Sequence, residues 1–220
     1  TGADVALPYF INFAPDYDLT LSPRYISDGS SMLGFEWRQK TSQGTYNIAG
    51  NGLWLDEEDN LDNDKTFRGN IQSKGAFKLS ENWHAGYDYW WVSDKSFMRR
   101  YDINEDDFFT SKAYIRQTNG RNMVDIRLLD FKTSIFNIDE DVQPEVAPQI
   151  RTEHYFDNLA GGELRLTSDI VSMSQKNGAD LSRAVAETEW NRQSILKSGQ
   201  ILDYLGGVRG AYYDYVTDSG

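Results

Sequence analysis

What most limits the fold of this chain is the length and phase of its alternating runs. From Phe67 to Leu79 one set of alternate positions reads Phe67, Gly69, Ile71, Ser73, Gly75, Phe77, Leu79, and the other Arg68, Asn70, Gln72, Lys74, Ala76, Lys78. Side chains alternate between the faces of a strand, so this run predicts a strand with one small, apolar face and one polar face. The next run sets Trp83, Ala85, Tyr87, Tyr89 and Trp91 against His84, Gly86, Asp88 and Trp90. Similar alternation recurs in Thr45 to Leu55, Phe108 to Gln117, Asn122 to Asp130 and Gly162 to Met173, about twelve runs in all. Breaks fall near Pro15, Gly29, Gly44, Asn60, Asn82, Asp102, Asn119, Asp139, Asn158, Asn177 and Ser198. Runs of about ten to thirteen residues exceed the usual five or six of a soluble sheet. They suit a tilted membrane-spanning strand, which needs roughly nine to eleven.

The breaks carry a second regularity. Those near Pro15, Gly44, Asn82, Asn119, Asn158 and Ser198 are tight, and most of the intervening ones are long and polar. Short turns at one end and long loops at the other are the sidedness of an outer-membrane barrel, with the short turns towards the periplasm. Hydrocarbon offers no partner to backbone N–H and C=O groups, so a sheet in lipid must close on itself. The expected fold is therefore all-β, an antiparallel transmembrane β-barrel, here partial, with about 12 strands of a larger barrel. The stretch from Leu181 to Glu187 has helical propensity, but Asn177-Gly178 before it and Gly199 after it favour a hairpin. No internal repeat or linker divides the chain.

Charge sits in the connections. The net charge is -12, and the segments Asp56 to Asp64, Asp102 to Asp107 and Asp139 to Glu145 hold 6, 4 and 4 acids with no Lys or Arg. Subtracting these 14 from 34 acids leaves 20 against 22 bases, so the remainder is near neutral. With no basic stripe, the sequence gives no sign of a nucleic-acid partner. In a barrel the three acidic segments are expected outside, as solvated loops or as weak calcium sites. Cysteine is absent, which removes disulfides and thiolate metal sites from this segment. Thr1-Gly2-Ala3-Asp4 is no signal peptide and the last residues have loop chemistry, so the chain is expected to be a piece of something longer.

The stretch Leu7 to Tyr25, LPYFINFAPDYDLTLSPRY, has two strand-like runs, each interrupted by one proline. Proline gives no N–H to a ladder, so Pro8 and Pro23 mark a place where pairing is locally weak. This stretch, with Leu33-Gly34-Phe35-Glu36-Trp37-Arg38 and the run Trp83 to Asp94 ending Val92-Ser93-Asp94, resembles the start of the barrel domain of the LptD family. These are lipopolysaccharide-assembly proteins of the Gram-negative outer membrane, also called organic solvent tolerance proteins. The runs Gly162 to Leu166 and Asn177 to Arg183 resemble the family more loosely. The resemblance implies a barrel of twenty-six strands with an LptE-like plug lipoprotein inside. It also implies a periplasmic jelly-roll domain, absent here together with the C-terminal strands, through which a periplasmic bridge protein would hand over lipopolysaccharide. Lipopolysaccharide would leave through a lateral gate between the first and last strands, with Pro8 and Pro23 as the family's pair of gate prolines. With Pro15 in a periplasmic turn, a further strand is expected before it, which would put Thr1 inside the barrel domain.

Facing follows from cost. A Lys or Arg on the lipid face costs about 2–4 kcal/mol at the midplane, so the charged phase points inwards and makes Arg68, Lys74, Lys78 and Asp88 candidates for the lumen. Trp83 and Trp91, at opposite ends of one strand face, are candidates for the two aromatic girdles against membrane lipids. Catalysis has little to work with. His84 and His154 are the two imidazoles, no G-x-S-x-G elbow occurs, and Gly206-Gly207-Val208-Arg209-Gly210 has no following helix, so it makes a poor phosphate cradle. The stretch Asp56 to Asp64 lacks the glycine and terminal glutamate of an EF-hand, and no cofactor is expected. Two other readings stay open: an outer-membrane diffusion porin and a soluble carbohydrate-binding β-sandwich. The spaced prolines favour a gated seam over a porin.

Overall fold

The computed structural model of the chain describes residues 4–26, 31–54, 67–135 and 137–217. They form thirteen strands: β1 (Asp4–Ala6), β2 (Tyr9–Ala14), β3 (Tyr17–Ile26), β4 (Ser31–Lys40), β5 (Gly44–Trp54), β6 (Phe67–Lys78), β7 (Trp83–Val92), β8 (Phe108–Asn119), β9 (Asn122–Thr133), β10 (Glu145–Leu159), β11 (Gly162–Ser174), β12 (Ala179–Ile195) and β13 (Ile201–Thr217). A four-residue helix, α1 (Phe97–Arg100), and a 3-10 turn at Glu140–Val142 complete the elements. The strands pair in chain order as one sheet, with β1 and β2 both lying on β3. Thirteen strands thus fill twelve rows, the number of alternating runs in the sequence. The fold is all-β, as expected of part of an antiparallel barrel.

Connections differ in length. Tight turns follow β2, β4, β6, β8, β10 and β12, and residues 93–107 and 134–144 make long connections after β7 and β9, but the connection after β11, residues 175–178, is as short as the tight turns. The breaks near Gly29 and Asn60, and the acidic residues 56–64, lie outside the described residues. Local chemistry sets the tight turns. After β4, the Thr41 hydroxyl accepts from the N–H groups of Gln43 and Gly44 and donates to the Gly44 carbonyl. A Cβ at Gly44 would sit 2.0 Å from the Ala76 carbonyl oxygen, so the crossing to β6 is possible only for glycine.

Residues 181–187 belong to β12, which pairs with β13 over its whole length from Ala179↔Thr217 to Ile195↔Ile201. Propensity for helix there yields to a full ladder and to a charged phase, Arg183, Glu187 and Glu189, set against Ala184, Ala186 and Trp190. The ladder of β10 slips between Val146 and Gln149, at Pro148, a bulge in keeping with proline's missing donor.

The chain divides into two compact units. In the first (Thr1–Lys78, Ala85–Ala113, Phe131–Gln143) the usual distribution of polarity is inverted. Arg68 and Asn70 are buried on one face of β6, while Phe67 and Ile71 on its other face are exposed. Leu33, Trp54 and Phe10 are exposed as well. The apolar core lies on the polar face, where Phe97, Met98 and Tyr101 of the segment after β7 pack with Met32, Leu53 and Phe109. On the opposite face Phe13, Tyr17 and Trp37 stack in a row beside the first tight turn.

The second unit (Leu79–His84, Tyr114–Asp130, Pro144–Gly220) has the same inversion. Leu128, Phe156, Ile170 and Val208 are exposed, while Asp125 is 1% exposed between two arginines. Exposed apolar residues in quantity on one face and buried charge on the other describe a sheet whose solvent on the apolar side is lipid.

Candidate functional site

The first row is where the backbone is interrupted. Ala6↔Arg24 and Tyr9↔Leu21 are in the same register, so Leu7 stands across from Pro23 and Pro8 across from Ser22. The Leu7 N–H donates to the Pro23 carbonyl at 3.1 Å. In an antiparallel pair the N–H and C=O of one residue point the same way, so the missing donor of Pro23 faces Leu7 and the rung keeps one bond where it would have two. The missing donor of Pro8 faces away from β3, by the same alternation. The two prolines therefore weaken the two sides of one row. Above the break, β1 is held by three residue pairs and by Arg24, which donates to the Asp4 carboxylate and to the Tyr101 carbonyl.

Arg68, Lys74, Lys78 and Asp88 share the polar phase of β6 and β7. Arg68 donates to Asp94 at 2.8 and 2.6 Å and to Ser96 at 2.7 Å, and its guanidinium lies over the rings of Phe97 and Tyr101. Burial pushes the Asp94 carboxyl up, but hydrogen bonds from Arg68, Ser93 and Ser96 outweigh it and bring the group down to about 2. The Lys74 ammonium stands 3.4 Å from the Asp88 carboxylate and over the Trp90 ring. Lys78 closes β6 at the tight turn, its N–H bonded to the Gln43 carbonyl. Trp83 and Trp91 are on the other face of β7, eight residues apart, about 26 Å at a strand's rise per residue. With a barrel strand tilted by about 40°, that length spans about 20 Å of height, most of a lipid-facing band about 25 Å tall. Trp91 joins Trp54, Phe67 and Ile71 around an outward apolar groove. His84 takes the polar phase, and His154 is across from Leu166 on the apolar phase of β10.

Sequence reasoning missed the inward fold of residues 93–107. It marked the acids of 102–107 and passed over the apolar spacing Phe97, Met98, Tyr101, Ile103, the signal that could have found it. It also missed the charge ladder of the second unit. There Asp125 accepts from Arg116 and Arg127, Asp169 from Arg151 and Arg183, and Glu153 from Arg165. Arg151 pairs in register with both Asp125 and Asp169, so signs alternate from strand to strand across one rung.

A family model described as LPS transport system D matches residues 66–220. The chain belongs to the LptD family. Among curated relatives, the LPS-assembly protein LptD of Acinetobacter baylyi is 31% identical over 169 residues, 73% of this chain and 20% of that protein. That of Pseudoalteromonas atlantica is 26% identical over 184 residues, 81% of this chain and 23% of the relative. That of Xanthomonas euvesicatoria pv. vesicatoria is 35% identical over 97 residues, 44% and 11% of the two chains. The chain spans about a fifth of the length of the first two of these LptD relatives. Pro8 and Pro23 precede the stretch that the family model matches.

Proposed function

We propose that this chain is a stretch of the barrel wall of an LPS translocon in the Gram-negative outer membrane, and that LPS leaves it sideways through a seam bounded by the first row. What supports the reading is the rung between Leu7 and Pro23, with one hydrogen bond in place of two, in a chain of the LptD family. A lost donor is worth roughly 0.5–1.5 kcal/mol net, so one loss on each side of the row, Pro23 towards Leu7 and Pro8 away from β3, eases its parting without unfolding the sheet. The polar phase of β6 and β7, including Arg68, Lys74, Lys78 and Asp88, would face the lumen and let sugar and phosphate pass, while acyl chains leave through the seam into lipid. Trp83 and Trp91 would sit at the two membrane interfaces. A jelly-roll domain receiving LPS from a periplasmic bridge protein, further strands and an LptE-like plug lipoprotein would complete the conduit outside this chain. The work is transport, without covalent chemistry.

The test places one cysteine beside Pro8 and another on the last barrel strand of the full-length protein. Crosslinking that halts arrival of LPS at the surface is the expected result. Efficient crosslinking with normal delivery would leave a closed barrel of another use, such as a porin.

A further inference from the structure

The inward segment after β7 roofs a cavity of about 280 Å³ on the polar face of the first unit. Its floor is built of Thr20, Ser22, Asn51, Asn70 and Gln72, and Trp90 stands at its side. Met98, Ile103 and Asn104 close it from the inward segment. Among the residues that line it, none is Lys or Arg, and Glu36 is the one charged side chain. The floor is kept low by Gly34, where a Cβ would meet the Asn51 amide oxygen at 2.8 Å. Asn51 in turn donates to the Asn70 amide oxygen at 3.1 Å, and Asn70 is buried. The amides are thus held in place before any ligand arrives.

We infer that this cavity is a subsite for one uncharged pyranose ring of the saccharide that passes the polar face, an inference that rests on the transport reading above. Amide and hydroxyl side chains offer both donors and acceptors, which is what the hydroxyls of a sugar require. The Trp90 indole, whose ring also meets Phe109 and Lys74, adds an apolar aromatic surface to the lining for the C–H groups of a ring. The volume lies at the lower end of small-ligand sites, so it holds one ring and not a chain. Phosphorylated or carboxylated sugars are disfavoured, because Glu36 opposes an anion and Lys74, the cation over the Trp90 ring, is paired with Asp88. The arginine-bearing ladder lies in the second unit, so neutral and anionic parts of a saccharide would meet different surfaces.

The experiment uses the full-length protein in cells, with a photoreactive amino acid at Gln72 in one strain and at Ile71, on the opposite face of β6, in another. Each is illuminated with complete LPS and with LPS shortened to lipid A and its acidic, phosphorylated inner sugars. The expected result is an LPS adduct at Gln72 that falls about tenfold with the shortened form, as loss of one to two recognition hydrogen bonds would give. The adduct at Ile71 is expected to persist with both forms. A Gln72 adduct of equal yield with the shortened LPS overturns the neutral-sugar assignment and leaves the transport reading intact. An absence of LPS adducts at both positions would overturn both. Gly34→Ala, whose methyl displaces the Asn51 amide, is expected to lower the Gln72 adduct while the barrel still shows its heat-modifiable mobility. An unchanged adduct in that variant counts against the subsite.

Discussion

Replacing Arg68 by Met keeps the methylene stem beneath Phe97 and Tyr101 and removes the charge that pairs with Asp94. Both side chains of that pair are 10% exposed, and Asp94 is held by hydrogen bonds from Arg68, Ser93 and Ser96. Breaking a buried pair from one side costs about 3–5 kcal/mol, because the remaining charge is left without compensation. The two serines stay, and Asp94 can take up a proton, so the low end, about 3 kcal/mol, is the expected cost to the folded state of residues 93–107. At that cost hydrogen-exchange protection of these residues falls about a hundredfold, while exchange in the core strands is unchanged. Adding Asp94→Asn removes the orphaned charge, so the double variant recovers most of the loss. A cycle of the four proteins, measured by hydrogen exchange in detergent or nanodiscs, isolates the pair. Equal protection in wild type and Arg68→Met, or a double variant as exposed as the singles, would refute the claim that this pair holds the segment in. The same pair sets a pH window. Folding lowers the Asp94 group from 3.8 to about 2, so its contribution, about 2 kcal/mol, is full above pH 4–5 and is lost as pH falls through about 2. Protection of 93–107 is expected to fall over that interval in wild type, and much less in the double variant.

Three other outcomes are expected. Ile71→Arg puts a charge on the apolar face at about 2–4 kcal/mol and blocks membrane assembly, while Gln72→Arg, on the polar face, assembles normally; heat-modifiable mobility reads both, and equal defects would sink the facing assignment. Pro23→Val restores an N–H towards Leu7, strengthens the first row by roughly 0.5–1.5 kcal/mol and slows LPS delivery in a surface-arrival assay, with wild-type rates arguing against a seam in this row. Asp125→Ala leaves Arg116 and Arg127 facing each other across a vacated carboxylate and costs about 1–3 kcal/mol, read as a lower unfolding midpoint in urea; an unchanged midpoint would mean that the ladder adds no stability.

The strands were legible because each alternation carries two constraints at once. In Phe67–Lys78 one phase is small and apolar and the other polar and charged, so a single run declares both a strand and the contrast between its two faces. Turn positions were legible for a similar reason, since Gly44 and the glycines at 120 and 161 stand where the chain reverses. The inward segment was not. Its four apolar residues are spread over seven positions among two arginines and an aspartate, and what holds them on the polar face is Arg68, distant in the sequence, through its bonds to Asp94 and Ser96. The spacing of Phe97, Met98 and Tyr101 announces a helical turn with an apolar side, but not what that side packs against. The charge ladder was hidden in the same way, because each strand alone shows isolated Arg and Asp residues, and their pairing depends on register. Pro8 and Pro23 were visible as prolines, yet that they stand diagonally across one rung is a matter of register as well.

A hydrogen-bonded ladder under load fails as a zip does, each broken rung passing its load to the next. The first row is perforated after its third residue. A tear that starts at Asp4 runs through the three residues of β1 and arrives at Leu7, whose rung to Pro23 carries one bond where its neighbours carry two. Beyond it, five of the six residues of β2 keep their pairs with β3, and the sixth, Phe13, stacks with Tyr17 and Trp37. Resistance to such a tear therefore changes along the row: the sheet is brittle over its first three residues and tougher over the next six.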